Sequence, residues 1–284
     1  MKSPIHWIPR FYFQCIFLFA PLFTEAQNLN ADSLFSEGDY LKARVEYEKS
    51  IFSGGSVNDI NKLLLKKSYC FKEEGKFENA YQTLQRITVD FVNKDFATSI
   101  LYELSLTAYL ANKSDLALSH LEEMKYYFPD TTSQILQVLE VLSLNEVHQW
   151  KEAQQKFKLY ATTYNLGLNE DIYSDIISFK PRNPRKAETM SMLFPGSGQM
   201  YTGHFLRGLS STVINGGLVL FTLSSFSSGF YLSGAFTGVA LFYLFYNGGA
   251  SYARSLAEKR NFQVYLKFND SIKSQIWNGL ELKK

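Results

Sequence analysis

Gly196-Ser197-Gly198, followed closely by His204, places a nucleophile near a base and invites a serine-hydrolase reading. A serine hydroxyl attacks a carbonyl only when an imidazole takes its proton and an acid orients that imidazole. The Gly-x-Ser-x-Gly elbow is absent, and no acid is placed to orient His204. The four histidines, at positions 6, 120, 148 and 204, lack metal-ligand spacing. Glu73-Glu74 and Glu122-Glu123 read as solvated helix faces rather than acid–base pairs. Gly54-Gly55 lacks the lysine and the strand of a phosphate loop. The expectation is a protein that is not an enzyme and has no catalytic, cofactor-binding or metal-binding residues. A hydrolase built on the Gly196-Ser197-Gly198 loop is the weakest alternative.

With chemistry set aside, what the chain positions becomes the question. Its 284 residues suit one large domain or two modest ones, and its formal charge is only +2. No basic stripe interleaved with aromatics occurs, so nucleic acid is not an expected partner. The 24 Phe and 18 Tyr concentrate in an N-terminal repeat region and in the C-terminal third.

The repeat is carried by Ala43, Ala80, Ala117 and Ala153, spaced by 37, 37 and 36 residues. Three residues before them stand Tyr40, Phe77, Ser114 and Trp150; four after stand Tyr47, Leu84, Leu121 and Phe157. Five before lie Gly38, Gly75, Asn112 and His148. A small residue between an aromatic and a large apolar one, just past a turn, marks the crossing of a helical hairpin. Stacked hairpins bury their faces only against their neighbours. The second helices are expected at Tyr40 to about Phe52, from Phe77 past Leu84 and Ile87, up to Phe128, and from Trp150 to about Tyr164. A short helix from Asn169 to Ser178 is expected to cap the stack.

The run Gly38-Asp39-Tyr40-Leu41-Lys42-Ala43, and Gly75-Lys76-Phe77-Glu78-Asn79-Ala80 after it, resemble the turn and second helix of the tetratricopeptide repeat. The spacing is two or three residues longer than that family's 34, and the fourth unit lacks the turn glycine. The resemblance covers about residues 28 to 165. It implies a right-handed helical-hairpin solenoid over 28-180 with a groove that binds other proteins of unknown identity.

Lys2 and Arg10, the apolar run Phe11 to Phe23 and Thr24-Glu25-Ala26 read as a signal peptide over 1-26. Cys15 lies within that run and lacks a lipobox. Cys70 would then be the only cysteine of the exported chain, read as a buried structural thiol.

From Gly208 to Ala253 no Asp, Glu, Lys, Arg or His occurs across 46 residues. Two apolar helices, near 209-226 and 232-249 and turning at Ser227-Ser228-Gly229, fit a hydrocarbon core about 30 Å thick. Before the first comes Pro195-Gly196-Ser197-Gly198-Gln199-Met200-Tyr201-Thr202-Gly203; the second leads through Asn247-Gly248-Gly249 to Asn261. These segments resemble an uncharacterised family of bacterial two-helix membrane domains carrying P-G-x-G-Q-x-Y-x-G. The match covers about residues 186 to 262, within an expected membrane domain at 185-262, and that family has no established chemistry. Pro195, Gly196, Gly198, Gln199, Tyr201 and Gly203 are the candidate loop residues. They are expected to form a non-helical interfacial hinge, with Gln199 and Tyr201 bonding to the interface or to the second helix.

In the tail, 263-284, Phe262, Leu266, Ile276 and Leu280 suit a helix, while Phe262, Val264, Leu266 and Phe268 alternate like a strand; the helix is preferred. Lys180, Arg182, Arg185, Lys186, Arg207, Arg254, Lys259 and Arg260 flank the spans, which the positive-inside rule would place in the cytoplasm. A signal peptide places the repeats and both flanks on the exported side. The signal is given precedence, with the basic flanks meeting anionic lipid. The functional expectation is an exported, membrane-anchored adaptor or scaffold of a bacterial cell envelope. The alternative is an accessory subunit of an integral membrane complex.

Overall fold

A computed structural model of the chain describes residues 30–167 and 170–281. The expected signal peptide lies outside the described residues. Among the described residues the protein is all-α, with no strand. It divides into two units, one ending at Gly167 and the other starting at Leu168.

The first unit contains α1 (30–36), α2 (Tyr40–Phe52), α3 (Val57–Glu73), α4 (Phe77–Leu84), α5 (Lys94–Leu110), α6 (Ser114–Tyr127), α7 (Gln134–Glu146) and α8 (Trp150–Thr163). From α2 to α8, each helix packs on the next in the chain. Tyr40, Phe77, Ser114 and Trp150 are the first residues of α2, α4, α6 and α8. Ala43, Ala80, Ala117 and Ala153 are fully buried, and Tyr47, Leu84, Leu121 and Phe157 one turn on are at most 2 % exposed. An alanine there lets two helices approach while the larger residue fills the space beside the crossing.

The turns repeat as closely as the ladder. Gly38, Gly75, Asn112 and His148 all take left-handed backbone, with φ of 82°, 69°, 58° and 63°. After each, an amide reaches back to cap the preceding helix: Asp39 N to Leu34 O, Lys76 N to Phe71 O, Lys113 N to Ala108 O and Gln149 N to Leu144 O, at 2.8–3.0 Å. The fourth turn thus has the same geometry without glycine. Helix α4 ends at Leu84, short of the expected Ile87. The cause is Asn61, whose side chain donates to Thr88 O at 2.9 Å and accepts from Thr88 N at 3.1 Å, holding that segment in non-helical backbone.

The second unit begins with a single 3₁₀ turn (Glu170–Ile172) and α9 (Tyr173–Ser178). The short helix expected to cap the repeats therefore belongs to this unit, where Tyr173 meets the ring of Phe268 edge-on at 5.0 Å. Then come α10 (Pro184–Leu193), α11 (Ser197–Tyr201), α12 (Phe205–Ser227), α13 (Tyr231–Ser233), a π-helical stretch (Gly234–Val239) and α14 (Ala240–Glu281). The chain turns at Ser228-Gly229 and packs back along α12, so that Gly238 lies against Thr222 and Gly249 against Ser211.

Two expectations change here. There is no separate tail after residue 262, because α14 runs unbroken to Glu281. Its buried stripe is Phe268, Ile272 and Ile276, whereas Phe262 and Leu266 are exposed. The Pro195 to Gly203 segment contains a helical turn, α11, rather than being non-helical throughout. Its ends are turned by Gly196 and Gly203, both at positive φ.

Candidate functional site

The P-G-x-G-Q-x-Y-x-G segment is the point where α10, α11, α12 and α14 are tied together. Pro195 ends α10, and its carbonyl accepts from Thr212 Oγ1 of α12 at 2.6 Å. A Cβ on Gly196 would lie 2.1 Å from Gly208 O, and one on Gly198 1.9 Å from Ala187 O. These are backbone-to-backbone approaches that only glycine permits. Ala187 of α10 lies in a cluster with Ala253 and Ala257 of α14, all fully buried, so α10 seats closely on α14.

Gln199, 1 % exposed, is the centre of the polar network. Its Oε1 accepts from Ser191 Oγ at 3.0 Å, and its Nε2 donates to Gly249 O at 2.9 Å. Ser191 Oγ in turn accepts from Gly198 N at 3.0 Å. The carbonyl of Gln199 accepts from Thr202 Oγ1 and from His204 N. One amide side chain therefore links α10, the α11 turn and α14, and its buried polar atoms are satisfied. The expected bond from Gln199 to the second long helix is present.

Tyr201 points to the other side of the junction. Its hydroxyl accepts from Asn183 N at 3.4 Å, while the Arg182 guanidinium lies 4.8 Å and the Lys186 ammonium 5.6 Å from its ring centre. Asn261 holds the same strap from α14: its Oδ1 accepts from Arg182 N at 2.9 Å and its Nδ2 donates to Arg182 O at 2.8 Å. Arg260 donates to Thr202 O beside Gly203. Arg254 pairs with Glu188 and Glu258, and Arg207 donates to Tyr252 Oη at 2.8 Å. Most of these basic flanks thus have partners within the unit. Tyr246 Oη donates to Met192 O, a further tie between α10 and α14.

Ser197 and His204 are engaged elsewhere. Ser197 Oγ donates to Met190 O at 2.6 Å, and His204 Nδ1 lies 3.2 Å from Thr202 Oγ1. Among the described residues, no group of three His, Cys, Asp or Glu is placed to hold a metal ion.

In the first unit the aromatic residues ahead of the alanine ladder are half-buried. Tyr40 meets Phe35 edge-on at 5.4 Å, and Trp150 lies over His148 at 5.0 Å. Ion pairs join consecutive repeats: Lys72–Glu103 and Lys113–Glu78 at 2.7 Å, Arg44–Glu74 at 3.0 Å and Lys125–Glu140 at 2.5 Å; within the fourth repeat Lys156 also holds Glu140, at 2.8 Å. Cys70 is fully buried, as the sequence suggests, and burial pushes its thiol up to about 11. Burial also raises the Tyr69 hydroxyl to about 12, with the neighbouring Glu103 adding to the shift. His120 is held below its ordinary 6.5 by burial, against a smaller opposing pull from Glu123, and it lies 3.0 Å from the Tyr81 hydroxyl.

Helix α12 is long and apolar enough to cross a membrane, and only 11 % of its most apolar window is buried. Val213, Leu220, Leu223, Leu232, Phe236 and Leu244 are at least 60 % exposed in this unit. A core helix of that composition would be covered.

Sequence reasoning missed the partners of Gln199, namely Ser191 and Gly249, because they lie 8 and 50 residues away. It also missed Asn215, 2 % exposed on α12. A signal for Asn215 was present, since an amide within an uncharged apolar stretch must be accommodated somewhere. Comparison of the chain with protein-family models, curated proteins and solved structures finds no significant match.

Proposed function

We propose that this protein is an exported, membrane-anchored adaptor or scaffold of a bacterial cell envelope. Its first unit acts as a right-handed, tetratricopeptide-like solenoid that binds other proteins, and its second unit inserts as a two-helix hairpin. The observation that carries the reading is the uncovered apolar surface of α12, within a stretch that carries no charge between Arg207 and Arg254. Lipid covers such a surface at no cost, whereas water does not. The second span is residues 232-249, antiparallel to α12. The basic residues at its ends serve the junction first, through Tyr201, Tyr252, Glu188 and Thr202. This weakens their use as a topological signal and supports the exported side.

The repeat unit supports an interaction role through its geometry. Four crossings in one frame, with matching turns and ion pairs between neighbours, build an extended surface. Copurification from native membranes tests the reading, comparing the full chain with a form ending at Gly167. Partners retained by the repeats alone support the adaptor; partners that need residues 168–284 favour an accessory subunit of a membrane complex. Alkaline extraction tests insertion, and release of the chain into the soluble fraction would overturn the hairpin. Protease added to spheroplasts tests topology, and protected repeats would overturn export.

A further inference from the structure

Helix α10 changes character along its axis rather than around it. Its exposed stripe of Arg185, Thr189 and Leu193 passes from a charge through a hydroxyl to a hydrocarbon over about 12 Å. The neighbouring stripe of Lys186, Met190 and Phe194 passes from a charge to apolar side chains in the same direction. A helix lying flat on a surface carries its apolar residues along one face. A gradient from end to end belongs to a helix that dips from water into an apolar medium. Leu193 and Phe194 are 70 % and 74 % exposed, and no Asp, Glu, Lys or Arg occurs between Glu188 and Arg207.

Contacts with the two long helices fix the level of that apolar end. Asn261 clasps Arg182, Ala253 and Ala257 pack on Ala187, and Tyr246 Oη donates to Met192 O, so α10 runs antiparallel to α14. Arg182 is therefore level with a residue 12 positions, about 18 Å, beyond the proposed span 232-249. Met192 is held by a residue three positions inside that span, whose side chain leans toward the start of its helix and so deeper. On the other span, Pro195 O accepts from Thr212 Oγ1, three positions inside 209-226. Both registers put the link between α10 and α11 within the first turn of the apolar stretch.

A non-helical link at such a level is tolerated only where protein satisfies its peptide groups. Met190 O accepts from Ser197 Oγ at 2.6 Å, Phe194 O from Ser197 N at 3.0 Å, and Gly196 O from Met200 N at 3.2 Å. Ser197, set aside as a nucleophile, thus supplies two of these bonds. Met192 O and Pro195 O are held by α14 and α12, while the side chains of Leu193 and Phe194 stay uncovered.

We propose that the C-terminal end of α10 and its link to α11 form a third membrane-inserted element, a re-entrant wedge whose Met192, Leu193 and Phe194 are covered by the acyl chains of one leaflet. The proposal rests on the membrane reading of the hairpin above. Level selects the occupant: the wedge stands beside the uncovered apolar surfaces of both spans, is tied to each of them, and offers no charge to a polar partner.

The test is fluorescence quenching in the full chain, in a Cys15→Ser background where Cys70 is buried. Leu193→Cys and Phe194→Cys replace mostly exposed side chains, so the fold tolerates them. Each variant is labelled with a maleimide dye and reconstituted into phosphatidylcholine vesicles, some of whose lipid carries a nitroxide high on one acyl chain. Dyes at positions 193 and 194 should lose most of their emission, as should one on Val213→Cys in the first span. A dye on Arg185→Cys should keep its emission. Quenching at 213 without quenching at 193 and 194 would overturn the wedge while leaving the hairpin intact; a partner protein or a second copy seated on the site gives that result. Equal quenching at 185 and 193 would also overturn it, because α10 would then lie flat on the bilayer. Loss of quenching at 213 as well would mean that the membrane reading fails and the wedge with it.

Discussion

Replacing Gly198 with alanine places a Cβ 1.9 Å from Ala187 O and 2.5 Å from Ser191 Oγ, where ordinary contact begins at 3.4 Å. Helix α10 must therefore retreat by about 1.5 Å, the difference between those contacts. Overpacking against a backbone carbonyl costs about 1–3 kcal/mol. The retreat also withdraws Ser191 Oγ from Gly198 N and from Gln199 Oε1, both at 3.0 Å. Leaving such buried groups unpaired costs about 1–3 kcal/mol each, and since the two losses share one movement, the combined effect is about 4 kcal/mol. Gly217 of α12 is the matched control, because a Cβ there meets nothing within 4 Å. Alanine at Gly217 stabilises by about 0.5–1 kcal/mol through helix propensity alone. The assay is denaturant unfolding of the purified full chain in mild detergent, read by circular dichroism and by proteolysis at the α10–α11 link. The two alanine substitutions should differ in sign. Stabilities of the two variants within about 1 kcal/mol of each other would refute the close packing described for this junction.

Gly75→Ala introduces a side chain that contacts nothing, but at φ 69° it costs about 1–2 kcal/mol from backbone strain alone, measured as a lowered unfolding midpoint. Ala80→Leu overfills a fully buried crossing and costs about 1–3 kcal/mol; an unchanged midpoint would mean the alanine ladder is not a packing seam. His120 binds a proton more weakly in the folded chain than in the unfolded one, so between the depressed folded value and about 6.5 the unfolded chain binds more protons. Its contribution to stability is therefore complete above that window and is lost as pH falls through it. His120→Gln should flatten the pH dependence of the unfolding midpoint, with His148, shifted in the same direction by burial, supplying the remaining slope. In a Cys15→Ser background, Cys70 should react with maleimide only on unfolding; labelling of the native protein would contradict its burial.

The repeat half was legible because its signal is local. An alanine four residues before a large apolar side chain needs no distant partner to be recognised, and all four pairs are buried. His148 shows where the pattern exceeds residue identity. It occupies a left-handed position usually taken by glycine, and only the surrounding frame marks it. The junction was half legible. Glycine spacing and Gln199 stood out in the sequence, but their contacts depend on the register of α14 against α10, which no short window contains. The end of α4 was misjudged because Asn61, 27 residues from Thr88, determines it. The tail was ambiguous because residues 262 to 268 alternate in polarity, and continuation of an existing helix decides the matter at less cost than starting a strand.

The 42 residues of α14 correspond to about 63 Å of helix at 1.5 Å per residue, roughly twice the thickness of a hydrocarbon core. In the proposed insertion of residues 232-249, about 48 Å of the same rod, from residue 250 to Glu281, would stand outside the bilayer. Inserted as proposed, such a rod would act as a lever with its short arm in lipid and its long arm outside the bilayer. A tilt of 10° displaces its far end by about 8 Å, so small changes in bilayer thickness are enlarged several-fold at the surface. The ties to α10 through Ala253, Ala257 and Asn261 lie near the fulcrum, and Phe268, edge-on to Tyr173, couples the long arm to α9.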